Sequence, residues 1–269
     1  MIGNVDRARE VFRCRSEVPD WCNVTLAYLG LKRLRYPYCL NLPGLHPVVL
    51  DEISDLWAFW QVFLRRVYSV SASDFLILDA GANIGLFTLL AARESQSSRI
   101  IALEPFPSTF RRLVENVNNN QMADRVTCLN IALGDSTELR CMDLIPQFSQ
   151  RRHLDRQGAE RKTEFVSVPT TTLARVLEDQ HISALDLLKL DIEGNEYEVL
   201  YSSPIEILQS IRRIALEYHA EIEQNTPEEL IAFLLRAGFR LECDVRDREG
   251  YGVAHLLQKN LASAIRSAA

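Results

Sequence analysis

From residue 53 to residue 258, short apolar runs alternate with segments whose apolar residues recur every three or four positions. The runs are rich in Leu, Ile and Val and end in polar or turn-forming residues, a pattern typical of strands buried in a parallel sheet. Strands are predicted at 76–79, 99–104, 126–131, 186–191 and 211–217, with helices at 108–117, 172–178 and 226–238. Ser108 is the expected cap of the first of these helices. The apolar segments 239–245 and 253–258 flank a polar turn and predict an antiparallel pair, so the whole pattern predicts an α/β fold, a doubly wound sheet with one reversed strand.

A segment with a different pattern precedes this alternation. Residues 1–50 are mixed and interrupted by prolines, which predicts extended pieces and turns. Residues 53–67 then place an apolar stripe with Trp57, Trp60 and Phe63 on one face of a helix. Because an aromatic stripe is usually core, packing against the main domain is favoured over a lid above a binding site. The predicted division is a helical and irregular extension at 1–70, a domain at 71–260 and a tail at 261–269.

The first strand of the domain runs into a turn with candidate chemistry, in the stretch LILDAGANIGLF. Gly81, Asn83 and Gly85 suit a tight turn that a ligand can approach, because these residue types tolerate positive φ. The spacing is one residue tighter than the G-x-G-x-x-G of dinucleotide-binding folds. Asp79 at the strand end would repel a diphosphate and attract an ammonium or sulfonium group, so S-adenosylmethionine is the favoured cofactor. An ordinary turn without a ligand is the alternative.

A second acid, Glu104, ends the next strand, 25 positions after Asp79. An acid at about this distance suits hydrogen bonds to ribose hydroxyls. A solvated acid at a strand end is the plainer alternative.

A second motif, KLDIEGNE, begins at Lys189 and again joins a buried strand to a turn and a helix. Lys189 and Asp191 are two positions apart and therefore share a face of the sheet. Ligands in open α/β sheets bind beyond the carboxyl ends of the strands. Asp191, Glu193, Glu217 and His219 all map to that edge and are candidates for the chemistry.

Composition narrows the class of protein. With 269 residues and 47% apolar content, the chain can bury a large core, and its net charge of −6 argues against a general nucleic-acid binder. Six cysteines without C-x-x-C spacing favour reduced thiols in a cytoplasmic protein over zinc or disulfides. The sequence opens without a secretory leader and contains no apolar run of membrane-spanning length, so stable membrane insertion is not expected.

The basic cluster at 151–162 predicts a solvated loop within an insertion at 136–165, with binding of an acidic or phosphorylated group as the alternative.

Together, DAGANIG, KLDIEGNE, the Glu104-Pro105 strand end and the ALEYH strand resemble the FkbM family of class I S-adenosylmethionine-dependent methyltransferases. The similarity covers roughly residues 50–258, most of the chain. It implies a Rossmann-like, seven-stranded sheet and methyl transfer to a hydroxyl, often on a sugar or secondary metabolite. Two residues depart from the family pattern: Ala174 stands where an acid is common, and Phe106 replaces a polar residue beside the expected adenine site.

The resemblance also implies a set of cofactor contacts. The implied residues are Asp79, Gly81, Ala82, Asn83, Gly85, Phe87, Glu104, Pro105, Asn130, Ala132, Leu133 and Asp191. The turn that begins at Asp79 would line the methionine part of S-adenosylmethionine. Glu104 would hold the ribose hydroxyls, and the residues from 130 to 133 would border the adenine.

An alcohol is a poor nucleophile until its proton leaves, so the reaction favours a base or a metal. His219 is the leading candidate base, because its ordinary pKa of about 6.5 leaves it neutral at cytosolic pH. Asp191 would orient the hydroxyl or the cofactor ammonium, with Glu193 and Lys189 in support. A divalent cation held by Asp191, Glu217 and His219 is an alternative without specific support.

Two other functions stay open. A nicotinamide-dependent oxidoreductase is disfavoured by the glycine spacing, and a non-catalytic cofactor-binding module of the same fold is disfavoured by the retained acids and histidine. The expected partner is a small hydroxylated acceptor and not nucleic acid. A homodimer is neither required nor excluded by the sequence.

Overall fold

The computed structural model of the protein describes residues 4–143, 165–218, 225–246 and 251–259. Its strands are β1 (Tyr38–Leu40), β2 (Val48–Leu50), β3 (Leu76–Ala80), β4 (Arg99–Leu103), β5 (Val126–Leu129), β6 (Ala132–Leu133), β7 (Glu138–Asp143), β8 (Phe165–Thr171), β9 (Leu185–Leu190), β10 (Ile211–Tyr218), β11 (Phe239–Arg246) and β12 (Gly252–Gln258). Its helices are α1 (Asn4–Glu17), α2 (Trp21–Tyr28), α3 (Ile53–Phe59) with a π-helical continuation (Trp60–Arg65), α4 (Leu86–Glu94), α5 (Pro107–Asn119), α6 (Leu173–Asp179), α7 (Glu196–Ser202), α8 (Ile205–Gln209) and α9 (Pro227–Arg236). Within these residues, no helix combines the length and the apolar character needed to cross a membrane.

The main sheet has seven strands in the order β11-β12-β10-β9-β3-β4-β5. Neighbours from β10 to β5 are parallel, whereas β12 runs antiparallel to both β10 and β11. This confirms the predicted doubly wound, seven-stranded sheet with one reversed strand. The central strands are continuous apolar runs because both of their faces are buried, as Leu78 and Leu188 illustrate. On one side of β3 lies β4, which follows it in the chain, and on the other side lies β9, which comes much later. This change of direction in the strand order creates a crevice at the carboxyl ends of β3, β4 and β9.

The predicted insertion contributes to a second, three-stranded sheet in the order β6-β8-β7. β7 and β8 pair antiparallel, with Glu138 opposite Thr170, and the short β6 pairs parallel with β8. The strand predicted at 126–131 ends earlier, as β5 at Leu129, and the residues just beyond the predicted strand form β6 in the smaller sheet. The basic cluster at 151–162 lies outside the described residues.

Two helices differ from their predicted form. α5 begins at Pro107 with Phe106 as its extended flanking residue, so Ser108 lies inside the helix and does not cap it. Proline fits the first turn because its missing N–H would be unpaired there and its fixed φ suits a helix. The helix predicted at 53–67 is instead α3 with its π-helical continuation, which ends at Arg65 because the next residue, Arg66, adopts the left-handed region with φ 59°.

The N-terminal extension packs on one face of the main sheet. Residues of α1, α2 and α3 share a buried core with α4 and with sheet residues that include Leu187 and Ala215. Trp60 is only 1% exposed, and its ring stacks on Tyr28 with 3.9 Å between the ring centroids. Its indole N–H donates a hydrogen bond of 2.6 Å to Glu10 Oε2. Trp60 and Phe63 are therefore core, as the packing interpretation predicts, whereas Trp57 is only half-buried.

Glu10 provides a test of this packing, because it is 4% exposed and accepts hydrogen bonds from both Trp60 and Arg65. We expect Glu10→Ala to lower the free energy of unfolding by about 1–3 kcal/mol, since it leaves a buried indole N–H without an acceptor. Urea unfolding followed by tryptophan fluorescence measures this. Glu115→Ala, on the exposed face of α5, is the control and should stay within about 0.5 kcal/mol of the unmodified protein. Equal losses in the two variants would contradict an anchoring role for Glu10.

Candidate active site

A pocket opens at the carboxyl ends of β3, β4 and β9, at the crevice of the doubly wound sheet. It is lined by Ala80, Gly81, Asn83, Leu103, Glu104, Pro105, Phe106, Ile131, Ala132, Leu133, Asp191, Ile192, Glu193 and Asn195. Both sequence motifs therefore contribute to one cavity. They meet because β3 and β9, which precede the two motifs, are adjacent parallel strands.

The turn after β3 adopts the backbone that its sequence predicts. Gly81, Asn83 and Gly85 have φ values of 77°, 52° and 89°, all in the left-handed region. A Cβ atom on Gly81 would lie 1.8 Å from the carbonyl oxygen of Asp191. Gly81 is thus required by the close approach of the second motif as well as by the turn. Glycine suits position 85 because a residue with a side chain would be strained at φ 89°, and its Cβ would also lie 2.7 Å from Leu113 Cδ1 of α5.

Glu104 lies at one wall of the pocket, only 4% exposed. Its Oε2 accepts a hydrogen bond of 2.9 Å from the backbone N–H of Asn83, and its Oε1 accepts one of 3.0 Å from that of Phe106. Burial raises the pKa of Glu104 to about 7, although these two hydrogen bonds oppose the rise. Each carboxylate oxygen has a further lone pair, so the group can still accept hydrogen bonds from ligand hydroxyls.

Beyond Glu104 the pocket wall becomes apolar. Ala132 and Leu133 line it as the resemblance implies, and Phe106, which departs from the family pattern, lies beside them. Asn130 acts from behind this wall: its side-chain amide donates to the carbonyl oxygens of Glu104 and Pro105 at 2.8 and 2.9 Å. Asn130 therefore holds the chain that follows β4 in place.

A buried group of charges lies beneath the pocket. Lys189 Nζ is 3.2 Å from Asp79 Oδ1 and 3.4 Å from Asp191 Oδ2, and it donates a hydrogen bond of 2.7 Å to the carbonyl of Gly81. Asp79 is fully buried and also accepts a hydrogen bond of 2.6 Å from Thr88. Burial lowers the pKa of Lys189, but the two carboxylates raise it by more, so the ammonium stays charged. The pair expected to share a sheet face, Lys189 and Asp191, is indeed in contact.

Sequence reasoning missed Tyr68, which completes this group. Its hydroxyl lies 3.0 Å from Asp191 Oδ2 and 2.5 Å from Glu217 Oε2. The side chain is 2% exposed and packs edge-on against Phe87, with 5.6 Å between the ring centroids. Nothing in the local sequence signals the role of Tyr68, because its partners lie more than a hundred positions away. The contact arises only when the extension packs on the sheet.

The two residues that precede Tyr68 are both held by contacts with the main domain. Arg66 turns the chain through the left-handed region and forms an ion pair with Glu94. The next residue, Val67, offers its carbonyl oxygen to His255 Nε2 at 2.8 Å. Because a carbonyl oxygen only accepts, this ring nitrogen carries the hydrogen.

The structure divides the predicted site residues into three sets. Those that line the pocket are Gly81, Asn83, Glu104, Pro105, Ala132, Leu133, Asp191 and Glu193. Those that support it from below or behind are Asp79, Ala82, Gly85, Phe87, Asn130 and Lys189. His219 lies outside the described residues. Ala80, Leu103, Ile131, Ile192 and Asn195 also line the pocket and were not predicted, although each lies within or next to a predicted residue or motif.

The chemistry of these groups fits S-adenosylmethionine. Asp79, Asp191 and Glu217 gather near Lys189, so the carboxylates of this group outnumber its ammonium and favour a positively charged ligand. Asn83 Oδ1 is buried beside the pocket without a hydrogen-bond partner among the described residues, which suits a ligand N–H donor. In the described part of the chain, no group of three or more His, Cys, Asp or Glu is arranged to hold a metal ion.

Comparison with known families identifies the same stretch of chain. A family model described as the methyltransferase FkbM domain matches residues 79–241, which is more than half of the protein. The match begins at Asp79, the acid that ends the first strand of the pocket, and includes both motifs.

Three curated relatives are 25–27% identical to the chain over the residues that align. AMB antimetabolite synthetase AmbE of Pseudomonas aeruginosa is 27% identical over 75% of this chain, but the chain spans only 11% of that relative's length. The 31-O-demethyl-FK506 methyltransferase FkbM of Streptomyces tacrolimicus is 26% identical over 66% of this chain and 76% of the relative. Hexuronic acid methyltransferase AglP of Haloferax volcanii is 25% identical over 68% of this chain and 74% of the relative.

The raised pKa of Glu104 predicts how ligand affinity depends on pH. With a pKa of about 7, the carboxyl is mostly protonated at pH 6 and mostly ionised at pH 8. Ribose hydroxyls donate to the ionised form, so S-adenosylhomocysteine should bind up to about tenfold more weakly at pH 6 than at pH 8. Calorimetric titration at the two pH values measures this. In Glu104→Gln, which does not titrate, the affinity should be lower and the pH dependence should disappear; an unchanged pH dependence would remove Glu104 from the binding event.

Proposed function

Because the chain belongs to the methyltransferase FkbM domain family, we propose that it transfers a methyl group to a hydroxyl of a small molecule, a sugar or a secondary metabolite. Family membership confirms the predicted enzyme class, an S-adenosylmethionine-dependent methyltransferase, and sets aside the nicotinamide-dependent alternative. The observation that carries the proposal is the pocket itself. It combines an acid suited to ribose hydroxyls with a buried carboxylate group suited to a cation.

The names of two relatives support a hydroxylated acceptor. One is named for 31-O-demethyl-FK506, a name that points to an oxygen as the methyl acceptor, and the other for hexuronic acid, a sugar acid. Each name indicates a small-molecule acceptor that carries oxygen. A natural-product alcohol and a sugar are therefore the two acceptor classes to test first.

The residues of the pocket have distinct proposed roles in binding. Glu104 accepts hydrogen bonds from the ribose hydroxyls, and the apolar wall with Ala132 and Leu133 receives the adenine. Asn83 and the backbone near Gly81 hold the amino-acid part. When bound, S-adenosylmethionine supplies a methyl group activated by its sulfonium charge.

The acceptor side is proposed to lie where Asp191 faces the pocket. Among the described residues, the Asp191 side chain contacts Tyr68 and Lys189 through Oδ2, which leaves Oδ1 to orient the acceptor hydroxyl. His219 directly follows β10 and is the proposed base that takes the hydroxyl proton. Glu193, on the pocket wall, is proposed to support this arrangement. In this methyl transfer, most of the rate enhancement is proposed to come from holding the acceptor oxygen close to the methyl group and in line behind it.

The experiment that tests the function is an acceptor screen with methyl-labelled S-adenosylmethionine. Hexuronic acids, other sugars and hydroxylated natural products form one panel, and matched amines form a second. We expect label to enter the first panel as an ether that is stable to mild base. Binding of S-adenosylhomocysteine without transfer to any acceptor would favour the non-catalytic module, and label confined to amines would overturn O-methylation.

The proposed roles of His219 and Asp191 predict different kinetic losses. His219→Ala should lower kcat by about a hundred- to ten-thousandfold, the usual contribution of a positioned base, with nearly unchanged affinity for S-adenosylhomocysteine. Asp191→Asn should lower kcat and raise KM for the acceptor, because it alters a carboxylate that faces the pocket. His46→Ala, an exposed histidine, is the control and should retain full activity. Full activity of His219→Ala would assign the base elsewhere. Loss of the enzyme's activity in EDTA, with recovery on addition of Mg²⁺, would indicate a metal.

A further inference from the structure

The turn at 191–195, between β9 and α7, forms one wall of the pocket. The residues of this turn that line the cavity are Asp191, Ile192, Glu193 and Asn195. The start of the turn is joined to the first motif, because the backbone N–H of Asp191 donates to the carbonyl oxygen of Ala80 at 3.2 Å. The shape of the remaining turn therefore determines where the Asp191 side chain lies relative to the pocket.

The backbone of this turn is strained. Glu193 has a φ of 54° and Gly194 a φ of 105°, so two successive residues lie in the left-handed region. Glycine adopts this region at little cost, whereas a residue with a side chain is strained there. Strained backbone of this kind persists only where the surrounding contacts enforce it, and it is concentrated at functional sites. A contact that enforces the left-handed turn is therefore expected close to Glu193.

Glu196, the first residue of α7, makes such a contact. Its Oε1 accepts a hydrogen bond of 2.9 Å from the backbone N–H of Ile192, four positions earlier. This bond spans the turn and encloses both left-handed residues. The Glu196 side chain is 0% exposed, although burying a carboxylate is unfavourable unless hydrogen bonds replace its lost water. An acid at this buried position is explained by what it holds, which is the backbone next to Asp191.

We propose that Glu196 is a positioning residue, which keeps the turn at 191–195 in its left-handed form and thereby aligns Asp191 with the acceptor. Glu196 is fully buried and is not part of the pocket lining, so it acts through the N–H of Ile192 and not on a ligand. The inference rests on the proposed function for its kinetic consequence. The hold on the turn is independent of any substrate.

Hydrogen exchange in the ligand-free protein, resolved by NMR at the Ile192 amide, tests the contact. We expect Glu196→Ala to speed this exchange at least about tenfold relative to the buried Leu216 amide of β10, which reports global opening. Glu196→Gln keeps a carbonyl oxygen as acceptor and should stay within about threefold. Glu206→Ala removes an exposed acid from the first turn of α8 and is the control without effect. Unchanged exchange at Ile192 in Glu196→Ala would overturn the proposal.

Two substitutions at position 193 test whether Glu196 holds the turn against strain. Glu193→Gly and Glu193→Ala both remove the carboxylate, but only glycine adopts a φ of 54° without strain. We expect the glycine variant to melt about 2 °C or more above the alanine variant. In the Glu196→Ala background this difference should shrink, because the turn is free to relax. Either no advantage of glycine over alanine, or an equal advantage in both backgrounds, would overturn the proposal.

Steady-state kinetics with the acceptor found in the screen test the consequence for the reaction. At a temperature well below the melting point of every variant, Glu196→Ala should lower kcat by about ten- to a hundredfold and raise KM for the acceptor, because Asp191 is misplaced. Glu196→Gln retains the hydrogen bond to Ile192, so its kcat should fall by at most about fivefold. Glu206→Ala, the control, should leave kcat and KM unchanged.

Failure of the proposed function and failure of this inference give different results. If the unmodified protein methylates no hydroxyl, the function fails, yet the exchange rate at Ile192 still decides whether Glu196 holds the turn. If Glu196→Ala loses stability and amide protection but keeps its kcat, Glu196 only supports the fold and the positioning role is wrong. If Glu196→Gln loses as much kcat as Glu196→Ala, the hydrogen bond to Ile192 is not what the reaction needs and the proposal is wrong.

Discussion

The ion pair of Lys189 with Asp79 and Asp191 is the interaction on which the site depends. It joins the ends of β3 and β9, the two central strands that carry the sequence motifs, in a place almost closed to water. Burying a single carboxylate such as Asp79 without a cation would be prohibitive, so Lys189 is a condition for placing acids there. Because the acids exceed the ammonium, the same group retains an affinity for a cationic ligand. Stability and ligand choice therefore have one electrostatic origin.

The second constraint is the contact between backbones above this pair. Gly81 has no side chain because the carbonyl of Asp191 occupies the space where a Cβ would lie. The glycine of one motif thus permits the other motif to approach, and the pocket forms between Glu104 and Asp191. The two acids have different surroundings. Glu104 is held by backbone N–H groups and has a pKa of about 7, whereas Asp191 is held by a lysine and a tyrosine.

The N-terminal extension is part of this site as well as of the core. Trp60 anchors it through Tyr28 and Glu10, and the left-handed turn at Arg66 directs the next residues across the sheet. Tyr68 then reaches both Asp191 and Glu217. A family model that begins at Asp79 therefore leaves out a residue that contacts the acids of the pocket. The packing of the extension and the alignment of Asp191 should change together.

The sequence by itself determined the sheet, its reversed strand and the turn of the first motif, because these follow from local apolar periodicity and from residues that tolerate positive φ. It also placed Lys189 beside Asp191, since side chains two apart on a strand share a face. Only the tertiary structure decided that Asp79 supports the pocket from below, paired with Lys189, and that Tyr68 joins Asp191 to Glu217. These outcomes depend on which strands are neighbours and on how the extension crosses the sheet. Such contacts connect residues more than a hundred positions apart, and no local pattern of apolar and polar residues encodes them.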